Sequence, residues 1–255
     1  MGYNAAVRPD ACRSTLDAGA LTIRPLGEER LDAIRHRLKQ TGRVQIIDFL
    51  NEPSAQLIHE AAVAETYNVV SRRGTGHMDM PQAWLDMLTP PQKQGLAQAI
   101  QTSATEEFQY LYDNYPLYDA VVDGLAPAHW RAVHDFLNGE AFLGLARQIT
   151  GEARIAMADC QLTRFRRGHF LTEHDDELAA KKRFYAYVLN LTPRWKIDWG
   201  GLLAFHGPDG NVEEAFTPRF NTLNLLRVPY PHSVTQVALS AGADRISITG
   251  WLRGL

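Results

Sequence analysis

A chain of 255 residues with 45% apolar and 22% charged side chains has the composition of an ordinary globular protein, long enough to enclose a sizeable core. Its formal charge of −3 gives no global basic field that would draw it onto nucleic acid or an anionic membrane surface, so neither partner is expected. Two cysteines, Cys12 and Cys160, exclude a disulfide framework. The stretch through Pro25 has no signal-peptide core, no apolar run reaches spanning length, and Ala6 stands where a myristoylation signal needs Ser or Thr, so a cytoplasmic protein is expected, with homodimerisation left open.

Helical patterns dominate the first part of the chain. In EERLDAIRHRLKQTG, Leu31, Ile34 and Leu38 recur at helical spacing and Gly42 supplies a stop. RVQIIDFL, residues 43–50, reads as a buried strand, and Asn51 with Pro53 opens the helix SAQLIHEAAVAETY. SRRGTGHMDMPQ has two glycines, a proline and no periodicity, which predicts a loop; as a lid it would bring Arg72, Arg73 and His77 to a substrate. Thr89 before Pro90 starts a long helical pattern through PQKQGLAQAIQTSATEEFQYLYDNYP. Phe108, Tyr110, Tyr112 and Tyr115 are too dense for one stripe of that helix, and core packing is their simplest use, with a substrate-facing or dimer-facing role as the alternative. A further helix over roughly 127–150 carries Trp130, Val133, Phe136 and Leu137 on one face.

After residue 152 the pattern turns to strands. IAMADCQLTRFRRG, KRFYAYVLNLT, GGLLAFHG, NVEEAF, RFNTLNLLRVP, HSVTQVALS and DRISITGWLRG are short β-branched or aromatic runs separated by Gly, Pro and Asp-Gly. Such a series implies a double-sheet jelly roll or barrel. The expected fold is α+β: a single domain over 1–255 in which 1–151 is mainly helical support and lid, and 152–255 is the jelly-roll core.

The stretch LTEHDDEL, residues 171–178, holds the chemistry. On a strand, residues i and i+2 share a face, so His174 and Asp176 would point together and Asp175 away. His232, at the start of a predicted strand after a Pro-Tyr-Pro bend, is the leading third ligand. Two histidines and one carboxylate leave three metal positions open, the arrangement of non-haem Fe(II) oxygenases. Those positions accept a bidentate oxo-acid and then O2. The distal carboxylate of 2-oxoglutarate needs a buried cation; Arg245, with Ser247 two residues further on the same face, supplies a forked donor and a hydroxyl.

With these pieces in order, the chain resembles the Fe(II)/2-oxoglutarate-dependent dioxygenases of prolyl hydroxylase type, most closely the ribosomal-protein prolyl hydroxylases, over roughly residues 160–253. The resemblance rests on HDDE followed by KRFYAYVLNL, then W...DWGGLLAF, FNTLNLLRV leading to HSV, and RISITGW. It implies a double-stranded β-helix core with His174, Asp176 and His232 as iron ligands and Arg245 as the partner of 2-oxoglutarate. By its place in the strand, Tyr187 resembles the family tyrosine that donates to the same carboxylate. It also implies oxidative decarboxylation of 2-oxoglutarate to succinate and CO2 coupled to hydroxylation, with Fe(II), O2 and ascorbate as reductant, on a prolyl residue of a peptide or protein, or on a free amino acid or other small molecule.

Other residues have plainer readings. His77-Met78-Asp79 repeats the metal spacing without a strand around it. His169 and His206 read as structural or surface residues, Gly200-Gly201 as a close approach between strands, and Trp199 and Trp251 as core or pocket wall. Arg164 and Arg166 either hold an acidic substrate group or, with Arg167, form a solvated edge. A zinc hydrolase would use Glu173 or Glu177 as base and leave Arg245 idle; a binding module would have no use for an intact ligand set; a halogenase would lack Asp176.

Overall fold

The computed structural model describes residues 21–255; Ala6 and Cys12 lie outside the described residues. Helix α1, Glu28–Thr41, buries Leu31, Ile34 and Leu38, and the N–H of Gly42, in left-handed backbone at φ 71°, donates to the Leu38 carbonyl. The chain then enters β1, Arg43–Ile46, shorter than the predicted run because the chain turns at Asp48, at φ 48°. Helix α2, Glu52–Val63, begins with Pro53 in its first turn.

Three predicted elements are revised. The expected loop at SRRGTGHMDMPQ is a hairpin of β2, Asn68–Arg73, and β3, Gly76–Met80, turned at Gly74 with φ 56°. After α3, Gln82–Met87, the Thr89–Gln92 capping box opens α4, Pro90–Ser103, but that helix stops there and FQYLYDNY becomes β4, Tyr110–Tyr115. Alternation resolves what a helix could not: on a strand Tyr110 and Tyr112 share one face and Asp113 takes the other. Past α5, Leu117–Val122, the long helix predicted over 127–150 divides into α6, Ala128–Leu137, and α7, Glu140–Thr150. At the break, Asn138 bonds both backbone groups of Ala158 at 3.0 Å, pinning the helix junction to the sheet.

The remaining strands are β5 (Met157–Ala158), β6 (Gln161–Phe165), β7 (Phe170–His174), β8 (Arg183–Asn190), β9 (Leu203–His206), β10 (Val212–Phe216), β11 (Thr222–Arg227), β12 (His232–Val234) and β13 (Arg245–Arg253). All pair antiparallel in one 13-stranded sheet, with β1-β11-β8-β13-β6-β4-β7-β12-β9-β10 as its main path, curled into a nearly closed jelly-roll barrel. The first part of the chain is therefore more than helical support, because β1 to β4 are strands of the same sheet.

Strand parity decides what reaches the barrel interior. Along β13, Ile246, Ile248 and Leu252 join the main core, which also contains Trp130 and Phe142 from the helices, while Arg245, Thr249 and Trp251 face the cavity. Along β8, Tyr187 and Leu189 take the helix side, and Ala186 and Val188 pack inward with Leu203, Phe205 and Leu226. Gly250, opposite Tyr187, is obligatory: a Cβ there would lie 1.9 Å from the Asp159 carbonyl and 3.0 Å from the Tyr187 ring.

Candidate metal and cosubstrate centre

His174 closes β7 and His232 opens β12, and the antiparallel register places them opposite each other. Each ring is anchored by the same device: the Nδ1–H donates to the carbonyl two residues back, Thr172 at 3.0 Å for His174 and Tyr230 at 2.7 Å for His232. This fixes the tautomer and turns both Nε2 lone pairs inward. Asp176 reaches the same point by a different route from the one expected. The strand ends at His174, and Asp176 swings round in left-handed backbone at φ 65°, so a turn rather than the pleat brings its carboxylate to the histidines. Its oxygens lie 3.5 Å from His174 Nε2 and 3.4 Å from His232 Nε2, and one donor atom from each residue falls within 4.8 Å of the others.

Three electron-pair donors converging on one point repel each other unless a cation sits among them, so the donor set fits a divalent metal. Burial and the adjacent His174 push the His232 pKa down, keeping its imidazole neutral, the form that binds metal. Asp175 is exposed, and its Oδ1 accepts from the Glu177 N–H at 3.0 Å, which ties it to the turn rather than to the histidines.

The same cavity, about 660 Å³, runs from the triad to Arg245. Arg245 is 1% exposed, its Nε and Nη1 have no hydrogen-bond partner, and its guanidinium carbon lies 5.1 Å from the centre of the Phe165 ring. Burial alone lowers its pKa, to about 10, so it remains cationic at neutral pH. A buried, unpaired guanidinium is costly unless an anion completes it, and a carboxylate entering the cavity would do so. The residues present thus fit 2-oxoglutarate at one end and its metal at the other.

Two further cosubstrate assignments change. Tyr187 borders the cavity, but its ring packs into the helix-side core, where the register with Gly250 gives it room, and its hydroxyl is already committed to the Asp159 carbonyl at 2.8 Å. Ser247 shares the face of Arg245, but its hydroxyl is bonded at 2.9 Å to Thr163, and Thr163 is the one of the pair that lines the cavity.

The second His-x-Asp lies on β3, where His77 reaches the cavity rim and its Nδ1 bonds the Tyr110 hydroxyl at 2.7 Å. Arg72 is tied to the Phe108 carbonyl at 3.2 Å. His206 is held by Glu173 and, at 2.9 Å, by Ser233, which also removes Glu173 as a base beside the metal. His169 is buried 3.9 Å from Asp113. Neither expectation for Arg164 and Arg166 holds: both clasp Asp113 of β4, at 2.7 and 2.9 Å, while Arg167 donates to the Ala241 carbonyl. The close approach at Gly200-Gly201 is as expected, since a Cβ on Gly200 would lie 2.2 Å from the Gln236 carbonyl.

The aromatic run supplies the cavity wall. Phe108, Tyr110 and Tyr112 line it, with Phe108 5.5 Å from His174 and Tyr112 stacked 5.0 Å from Phe165, while Tyr115 packs on Trp130. Arg183 is the lining residue that sequence reasoning missed. Its Nη1 donates to the Asp176 carbonyl at 3.1 Å and its guanidinium carbon lies 3.5 Å from the Trp251 ring centre. Arg183 Nε and Trp251 Nε1 are both buried without partners. The available signal was an arginine opening an otherwise apolar strand.

An antiparallel barrel with two histidines and an aspartate around open metal positions, facing a buried unpaired arginine, defines the non-haem iron, oxo-acid-dependent oxygenases. Residues 160–253 match the 2OG-Fe(II) oxygenase superfamily model. Over 88 residues the chain is 38% identical to prolyl 3-hydroxylase OGFOD1 of Xenopus laevis, an alignment covering 32% of this chain and only 17% of that protein. Among solved structures, a 2OG-Fe(II) oxygenase family oxidoreductase from Burkholderia pseudomallei aligns over 91% of this chain and 96% of its own, with 15% identity and a TM-score of 0.56. A Trichoplax adhaerens prolyl hydroxylase in complex with a hypoxia inducible factor peptide fragment aligns over 89% and 90%, with 16% identity and a TM-score of 0.55. These two likenesses establish the fold.

Proposed function

We propose that the chain is an Fe(II)- and 2-oxoglutarate-dependent dioxygenase that hydroxylates a prolyl residue in a peptide or protein, consuming O2 and 2-oxoglutarate and releasing succinate and CO2. The observation that carries this reading is Arg245, a buried cation left unpaired in the same cavity as the His-Asp-His set. His174, Asp176 and His232 would hold the iron, which when bound would supply oxygen activation coupled to decarboxylation of the oxo-acid. The protein's own groups do the placing. Arg245 takes the distal carboxylate through two parallel N–H bonds, and the carbonyl-anchored histidines keep the metal ligands in register. Phe108, Tyr112 and Phe165 exclude water from the space between, and Arg183 Nε with Trp251 Nε1 offers two donors to a substrate carbonyl beside the metal.

The sequence relation to prolyl 3-hydroxylases supports the prolyl assignment. A second reading, hydroxylation of a free amino acid, is favoured by the charge on Arg183, which would suit a carboxylate as well as a carbonyl. The test is succinate release with Fe(II), 2-oxoglutarate and O2, with and without ascorbate, screened over proline-containing peptides, free amino acids and a cell extract. Mass spectrometry reads the gain of one oxygen. Turnover on a peptide supports the proposal, turnover on amino acids alone selects the second reading, and full turnover by metal-loaded Asp176→Ala would sink the ligand assignment.

A further inference from the structure

A separate cleft of about 820 Å³ lies between the segment after β8 and the loops that precede β11 and β13, and it shares no lining residue with the catalytic cavity. Arg194, Lys196 and Arg219 line it together with Trp195, Trp199 and Phe220. No carboxylate is part of the lining, although Asp198 and Asp244 are neighbours in sequence. The three cations are exposed, and none takes part in the ion pairs among the described residues.

The rings, by contrast, are fixed. Trp195 Nε1 donates to the Gly200 carbonyl at 2.9 Å, and its ring meets Trp199 edge-on with centroids 5.3 Å apart. Trp199 rests on Gly242, where a Cβ would come within 2.9 Å of it, and the Lys196 ammonium stands 5.9 Å from the Trp199 ring. Fixed planar surfaces bordered by exposed cations outside any ion pair are what a chain of bases and phosphates requires, because every base offers a π-face and every phosphate a charge. An acidic amphipathic peptide would need aliphatic sockets, and the lining has no aliphatic side chain larger than Pro193.

We propose that this cleft binds a short stretch of single-stranded nucleic acid, with bases against Trp199 and Phe220 and phosphates on Arg194, Lys196 and Arg219. The net charge of −3 excludes a global field but not a patch of this size. The site is independent of the oxygenase reading.

Fluorescence anisotropy of the full chain with a labelled oligouridylate of about ten nucleotides tests it. Three phosphate contacts predict a log–log salt slope of about −2. The double variant Arg194→Glu/Lys196→Glu should weaken binding at least about tenfold, and Arg194→Lys/Lys196→Arg should retain it, with thermal midpoints as the folding control. Arg219→Glu, on a different loop, should give the same loss and stands in if the double variant misfolds. Absence of binding at low salt, or equal binding by the reversal variants, overturns the proposal. Equal competition by polyglutamate makes the partner an acidic protein, and equal competition by UMP makes it a free nucleotide; either result overturns it as well.

Discussion

Two buried charge sites lie on adjoining strands of this barrel and are built in opposite ways. Phe165 of β6 pairs with Arg245 of β13, and on either side of that phenylalanine Arg164 and Arg166 reach across to Asp113 of β4. At the Asp113 site a 1%-exposed carboxylate is saturated by two arginines, a closed arrangement with nothing left to bind. Arg245, equally buried, is left with two unsatisfied nitrogens and an open cavity before it. Charge that is closed within the protein serves the fold, and charge held open is stability given up for a ligand.

The contrast predicts effects of opposite sign. The largest falls on the centre itself: Asp176→Ala should abolish Mn(II) binding and turnover, read by calorimetry and succinate release, since two neutral imidazoles alone make a weak site. Replacing Arg245 with Met should weaken 2-oxoglutarate binding by about two orders of magnitude, the loss of a buried charged pair, while leaving the melting temperature equal or higher. Asp113→Leu should do the reverse, lowering stability by about 2–3 kcal/mol in urea unfolding, with the partial exposure of its two arginines limiting the loss.

His169 makes the closed site pH-sensitive. Burial lowers its pKa to about 4, so between the unfolded value of 6.5 and that point the unfolded chain binds the extra proton. Stability is full above pH 6.5 and falls as pH drops towards 4, by on the order of 2–3 kcal/mol from this group, and His169→Gln should flatten that part of the urea-midpoint profile. Asp175→Ala should change turnover less than about twofold, because that carboxylate caps a surface turn.

That His174, Asp176, His232 and Arg245 meet around one cavity was legible because residue type and order along the chain carry that pattern. The route by which Asp176 arrives was not, since a left-handed residue leaves no mark in a run of acidic side chains. The partner of the Tyr187 hydroxyl was hidden for a related reason: where that ring directs its hydroxyl depends on the register of β8 with β13, where Gly250 leaves it room to reach the Asp159 carbonyl. The FQYLYDNY strand was hidden behind a well-capped helix, although the density of its aromatics already argued against a helical stripe. Asp113 as partner of Arg164 and Arg166 could not be read at all, because β4 and β6 meet only in three dimensions.

The central claim is that Arg245 is kept unpaired to receive a carboxylate. Titrating 2-oxoglutarate into Mn(II)-loaded wild type and Arg245→Met, with Mn(II) affinity measured in parallel, tests it most directly. The account predicts binding to the wild type, loss of about 100-fold in the variant, and unchanged Mn(II) affinity. Equal 2-oxoglutarate affinity in the two proteins would contradict it.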